Sequence, residues 1–208
     1  YILHILLTHI QVHHVKRSWI DIFLQVIFHF LNIIMIKIYD NVLPQDLCYY
    51  LIDLFEKSSQ YYKRSSSDGN FYNTLNLNVY FLDIINDILP FVDNLYLRYK
   101  NDIKSKHLPK LQVMEDFRMK RYLPNIGERF DEHVDVYDKD SCGRALVFLF
   151  YLNDNDGNTF FPNHELYIQP KRGRVLMFPP TWEYPHSGLS PSNNSKYILS
   201  TYLHYGTN

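Results

Sequence analysis

Leu146-Val147-Phe148-Leu149-Phe150-Tyr151-Leu152 is the stretch that decides the fold: an unbroken apolar run, too short for a typical helix and free of glycine and proline. Such a run suits a strand buried on both faces. Directly after it, Asn153-Asp154-Asn155-Asp156-Gly157 is a strong turn signal, and Thr159-Phe160-Phe161 resumes an extended pattern. Further out, Val113–Tyr122 is a candidate strand, Lys171-Arg172-Gly173 turns into Arg174–Phe178, and Lys196–Tyr205 is the last strand. Many short strands separated by regular turns predict a β-sandwich or jelly roll.

Upstream of Lys110 the hydrophobic period becomes helical. Asp46 is placed to cap a helix over 47–58, with Leu47, Leu51, Leu54 and Phe55 on one face. The polar tract Ser58–Asn70 reads as a loop. Phe81, Ile84, Ile85, Ile88, Val92, Leu95, Tyr99 and Ile103 recur at three- and four-residue steps, predicting a second helix over 79–104 that breaks or kinks at Pro90. The expected fold class is therefore mainly β with supporting helices (α+β): residues 35–109 give helical support and 110–208 a β core.

Residues 1–34 differ from the rest. They hold five of the ten histidines and no glycine or proline, and Ile22–Ile36 is apolar except at Gln25, His29 and Asn32. Fifteen residues with three polar interruptions fall short of a standard membrane span. Because the sequence starts at Tyr1, Met35 is expected to be the natural start and 1–34 an added extension; the alternative is an anchor through residues 16–36.

The 208 residues suffice for one domain with a substantial core, and 46% hydrophobic with 16% aromatic content excludes a disordered chain. A net charge of −1, from 21 basic and 22 acidic residues, gives no footprint for nucleic acid or an anionic membrane. The short cluster Arg118, Lys120, Arg121 reads as a solvated strand edge. Cys48 and Cys142 are too few and too far apart for a disulfide scaffold, which points to a reducing compartment and a cytoplasmic location.

His133-Val134-Asp135 puts an imidazole and a carboxylate two residues apart, so on a strand both face one metal. Alone, the pair reads equally as a solvated edge, since Asp131 and Glu132 precede it. His186 offers a third ligand. Two histidines and one carboxylate leave three coordination positions open, as in non-haem Fe(II) oxygenases, whereas zinc prefers a closed tetrahedral set or three ligands plus water. Alternation along the last strand puts Lys196, Ile198, Ser200 and Tyr202 on one side. A pocket-facing ammonium there needs an anion, which a dicarboxylate cosubstrate supplies. Taken by itself, Lys196 is an ordinary surface lysine at a strand start.

From about Glu115 to Gly206 the sequence resembles the catalytic domain of the prolyl 4-hydroxylase-type Fe(II)/2-oxoglutarate-dependent dioxygenases, above all the small bacterial and phage-encoded members. Tyr122, Gly127, Phe130, His133 and Asp135 match the family's opening pattern; Arg144 and Tyr151-Leu152-Asn153 match its next element. Gly157, Thr159 and Phe161 follow, with Asn158 where a glutamate is common, then Pro170-Lys171-Arg172-Gly173 and Leu176-Met177-Phe178, and finally His186 with Lys196 ten positions on. The resemblance implies a double-stranded β-helix (jelly roll, cupin-like) core with Fe(II) on His133, Asp135 and His186. It further implies that Lys196 and the Tyr151 hydroxyl bind the distal carboxylate of 2-oxoglutarate, with Tyr122 lining the cosubstrate or substrate side. The implied reaction uses O2, converts 2-oxoglutarate to succinate and hydroxylates an unactivated C–H bond, by default of a prolyl residue in a peptide or protein; ascorbate often rescues over-oxidised iron in related members. Retention of Asp135 favours hydroxylation over halogenation.

Two other readings compete. A non-catalytic metal-binding jelly-roll module has no use for a dicarboxylate clamp at Lys196 and Tyr151. A metal-dependent hydrolase needs a general base beside a metal-bound water, and no suitably placed His-Glu pair accompanies the triad in sequence. Specificity is expected in the loops Tyr137–Gly143 and Asn153–Asn158.

Overall fold

A computed structural model of the chain describes residues 35–65 and 72–206. The reading of residues 1–34 as an extension or anchor, and the Ser66–Asn70 part of the expected loop, lie outside the described residues. Among the described residues no helix is long and apolar enough to cross a membrane.

Eleven strands are described: β1 (Lys37–Tyr39), β2 (Lys63–Ser65), β3 (Tyr72–Asn76), β4 (Arg118–Tyr122), β5 (Phe130–His133), β6 (Arg144–Tyr151), β7 (Thr159–Phe161), β8 (Leu166–Ile168), β9 (Val175–Phe178), β10 (His186–Gly188) and β11 (Lys196–His204). They form a seven-stranded sheet, β1-β9-β6-β11-β4-β3-β2, and a four-stranded sheet, β5-β10-β7-β8, with every pairing antiparallel. The helices are α1 (Gln45–Lys57), α2 (Leu77–Tyr80) and α3 (Leu82–Ile103).

Alternation explains why the β6 run is apolar at every position. Leu146, Phe148 and Phe150 join Met119, Val175, Met177, Leu199 and Leu203 in a core shared with Leu51 and Phe55 of α1 and Ile88, Val92 and Leu95 of α3. The intervening residues, Val147 and Leu149 with Phe178 of β9 and Ile198 of β11, line a cavity on the other face of the sheet. One face thus buries apolar area against helices while the other forms the wall of a site. The jelly-roll class with supporting helices agrees with this architecture.

Several local expectations are corrected. The first helix starts at Gln45 after Pro44, so Asp46 lies in its first turn instead of capping it. There its negative charge favours the helix N-terminus. The Ser58–Asn70 tract contains a short 3-10 turn, Ser59–Tyr61, and the edge strand β2. That strand is concealed because Lys63 and Arg64 are both exposed, and β3, its partner, has no counterpart in the hydrophobic pattern. The second helical stretch is interrupted at Phe81, between α2 and α3, while α3 continues through Pro90. Burial of Ile88 and Val92 on either side of the proline holds the helix against a penalty of roughly 3 kcal/mol.

Candidate active site

β5 ends on His133 and β10 begins on His186, and the two residues are direct partners in the small sheet. Their rings are 4.3 Å apart. Asp135 lies just beyond β5, held by its N–H donating to the Pro180 carbonyl (3.1 Å) and by Arg144 Nη1 donating to its own carbonyl (2.8 Å). One ligand atom from each of the three residues falls within 4.8 Å of the others.

Hydrogen bonds set the orientation of all three donors. His133 Nδ1 lies 2.8 Å from the Asp131 carbonyl and His186 Nδ1 3.2 Å from the Tyr184 carbonyl. A carbonyl only accepts, so each Nδ1 carries the proton and each Nε2 presents a lone pair. Those Nε2 atoms lie 3.5 and 3.6 Å from the Asp135 carboxylate. The Tyr202 hydroxyl donates to Asp135 Oδ1 at 2.7 Å, whereas Oδ2 is buried with no hydrogen-bond partner. Burial pushes His186 down to about 4, the neutral form that ligates metals. Burial alone raises Asp135, but His186, His133 and the Tyr202 hydroxyl outweigh it and keep the carboxyl well below the usual range. Two imidazole lone pairs and an orphaned carboxylate oxygen converging from one side fit a divalent cation with open positions, the donor set suited to Fe(II). Phe130 stacks on His133 and Phe178 meets His186 edge-on, which keeps these candidate ligands in an apolar surround.

The cavity beside this triad encloses about 450 Å³, its open mouth included. Lys196 lines it at only 2% exposure, its Nζ 5.5 Å from the centre of the Tyr122 ring. Among the described residues no carboxylate pairs with it. Burial, and then the like charge of Lys120, pushes its ammonium down to about 7. A desolvated, unpaired cation on a cavity wall is a receptor for an anion. Tyr122 is its direct neighbour across β4 and β11 and also lines the cavity. Tyr151 is fully buried behind that wall: its hydroxyl lies 2.7 Å from Thr159 Oγ1, and Thr159 is the residue that reaches the cavity.

The structure adds groups that the sequence reading passed over. The Arg118, Lys120, Arg121 cluster is no solvated edge, because β4 is paired on both sides, by β11 and β3. Arg121 makes two contacts with Glu56, while Lys120 points into the cavity. Glu115 receives Arg144 Nε (2.6 Å) and Nη2 (3.1 Å) and sits 2.6 Å from His204 Nε2. Arg144 therefore anchors the Asp135 backbone and is unavailable as a cosubstrate clamp, and His204 is a partner of that anchor. Alternation on β4 puts Lys120 on the face of Tyr122 but does not say whether that face is solvated, and nothing local in sequence points to the Glu115–Arg144–His204 cluster.

Residues 117–204 match the 2OG-Fe(II) oxygenase superfamily. A protein of Acanthamoeba polyphaga mimivirus, described as "Putative prolyl 4-hydroxylase", is 32% identical over 109 residues, covering 43% of this chain. The chain spans 44% of that relative's length. A viral collagen prolyl hydroxylase from Paramecium Bursaria Chlorella virus-1, solved with 2OG, superposes with a TM-score of 0.63 at 20% identity, over 83% of this chain and 97% of its own. A Pseudomonas putida prolyl-4-hydroxylase gives 0.68 at 16% identity over 88% and 100%. A Trichoplax adhaerens prolyl hydroxylase in complex with a hypoxia inducible factor peptide fragment gives 0.66 at 18% over 91% and 94%. At these identities the structural likeness is one of fold.

Proposed function

We propose that this chain, whose residues 117–204 match the 2OG-Fe(II) oxygenase superfamily, is a dioxygenase of prolyl 4-hydroxylase-like type that hydroxylates an unactivated C–H bond of a prolyl residue in a peptide or protein. One observation carries the reading: two Nε2 lone pairs and the unpartnered Asp135 Oδ2 converge at one side of a cavity whose wall holds the buried, unpaired ammonium of Lys196. His133, Asp135 and His186 would hold Fe(II), and Lys196 would receive the distal carboxylate of 2-oxoglutarate beside Tyr122 and Thr159. When bound, this pair supplies the oxidising chemistry, in which O2 and 2-oxoglutarate give succinate and CO2 and a C–H bond becomes C–OH.

The chain's own residues do the rest. Tyr202 donates to Asp135 Oδ1 and leaves Oδ2, 3.6 Å from His186 Nε2, without a hydrogen-bond partner, so one carboxylate oxygen is free to ligate. The carbonyls of Asp131 and Tyr184 fix the histidine tautomers. Thr159, held by Tyr151, gives the cavity wall a polar oxygen near the acid. Phe130, Val147, Leu149 and Phe178 exclude water from around these groups, which strengthens each charged contact. A non-catalytic metal-binding module is disfavoured because a desolvated lysine with no protein anion has no structural use. The domain is read as residues 35–208 and its location as cytoplasmic, in keeping with Cys48 buried and reduced and Cys142 exposed and unpaired.

The deciding experiment incubates the protein with Fe(II), 2-oxoglutarate, ascorbate and prolyl peptides under air. Succinate formation matched by a single added oxygen on a prolyl residue is the expected result. Absence of 2-oxoglutarate consumption under every condition would refute the reading.

A further inference from the structure

Among the described residues, Lys120 is the one cation of the site that the proposed reaction leaves without a task. With Fe(II) bound, the charges of the metal, Asp135, Lys196 and a dicarboxylate cancel, and the two histidines are neutral. Arg118 is paired to Glu115 and Asp116, and Arg144 to Glu115. Lys120 is the surplus positive charge, and among the described residues no carboxylate forms an ion pair with it.

Its position says what it meets. Lys120 sits two residues before Tyr122 on β4, opposite Ile198 of β11, so it stands about 7 Å along the strand from the Lys196–Tyr122 level. Its Nζ rests 5.3 Å from the Phe130 ring centre and 5.6 Å from that of Tyr72, contacts that hold an ammonium without neutralising it. The residue lines both the Lys196 cavity and the adjoining groove bordered by Tyr137, Arg144 and Tyr202, with His133 and Asp135 common to both. Lys120 therefore stands at the junction where the cosubstrate cavity opens beside the metal ligands into the groove that a substrate would enter.

We propose that Lys120 is a specificity-determining residue that binds a carboxylate on the substrate, so that the preferred substrate is an acidic peptide segment with Asp or Glu adjacent to the hydroxylated residue. This rests on the reading of the site as an Fe(II)/2-oxoglutarate oxygenase. A second lysine for 2-oxoglutarate itself is disfavoured, because Lys196 already faces that acid at the 2%-exposed wall while Lys120 borders the groove. A free amino acid would bring the same carboxylate, and the experiment separates the two sources.

The test uses the full chain loaded with Mn(II) and 2-oxoglutarate, without turnover. Fluorescently labelled prolyl peptides flanked by Glu, Gln or Lys are titrated by anisotropy, with free proline as a competitor. The Glu peptide is expected to bind at least about tenfold tighter than its Gln counterpart, a fold-change typical of one desolvated charge contact. Lys120→Gln should bring the two to parity and Lys120→Glu should favour the Lys peptide, while the Kd of 2-oxoglutarate, measured calorimetrically, shifts by less than about threefold because Lys196 remains. Equal binding of all three peptides to the unaltered chain overturns the proposal. So does a Lys120→Gln variant that loses 2-oxoglutarate but keeps its peptide preference, or free proline displacing the Glu peptide at similar concentration. Consumption of 2-oxoglutarate with Fe(II), with and without prolyl peptides, tests the parent reading separately: its absence under every condition sinks that reading, and its presence with charge-blind peptide binding sinks only this inference.

Discussion

Replacing Lys196 with Met should make the metal-free protein more stable and at the same time cripple it for 2-oxoglutarate. Burial holds the folded-state ammonium near 7, against 10.5 for a solvated lysine. At pH 7 the unfolded chain keeps this proton and the folded chain resists it, a linkage penalty on the order of 4 kcal/mol as an upper figure. Methionine fills nearly the same volume without charge, so unfolding of the metal-free variant at pH 7 should shift up by about 2–4 °C for each kcal/mol recovered. The gain should shrink as pH rises from 7 through 10.5, above which the wild-type lysine is neutral in both states. Calorimetric titration of the Mn(II)-loaded variant with 2-oxoglutarate should show a loss of about 2–5 kcal/mol, roughly 30- to 5,000-fold in Kd, because the acid's carboxylate loses its desolvated partner. A variant that melts at or below the wild-type temperature and still binds 2-oxoglutarate normally would refute the reasoning, since the ammonium would then have a protein anion as its partner.

Other expectations follow from the same geometry. His133→Ala and His186→Ala should each abolish Co(II) or Fe(II) binding, read by optical titration, while far-ultraviolet circular dichroism stays native, because both side chains border the cavity. Tyr202→Phe removes the 2.7 Å donor to Asp135 Oδ1 and should weaken metal binding about 10- to 100-fold in a chelator competition. Since the dianion favours protonated Lys196, 2-oxoglutarate binding above pH 7 should take up a proton, seen as a dependence of the calorimetric heat on the buffer's ionisation enthalpy. A chain starting at Met35 should fold and consume 2-oxoglutarate, since Ile36 is buried, Tyr99 donates to the Met35 carbonyl and β1 pairs with β9. Starting at Val42 should instead lower the melting temperature by removing β1 from the sheet edge.

The candidate metal ligands were legible because the small sheet brings them together through local rules. His133 and Asp135 are two residues apart, and the match of His186 and Lys196 to a family pattern carried their spacing. The buried strands were legible because β6, β9 and β11 pack on both faces and must be apolar or pocket-facing at nearly every position. Where a polar residue is placed by a partner remote in sequence, no local signal exists. Lys120 looks solvated beside Arg118 and Arg121, and only the pairing of β4 with both β11 and β3 turns it into the cavity. Asp46, Phe81 and Pro90 show the same limit for helix ends, where tertiary burial outweighed local preference.

The sequence by itself determined the fold class and the chemistry of the donors, because hydrophobic period and residue type are properties of short segments. Only the tertiary structure decided which charges have partners. Arg144 is taken by Glu115 and the Asp135 carbonyl, Tyr151 by Thr159, and Asp135 Oδ2 and Lys196 by no hydrogen bond among the described residues. Whether a buried charge is structural or awaits a ligand depends on what faces it across the sheet, and register between distant strands sets that.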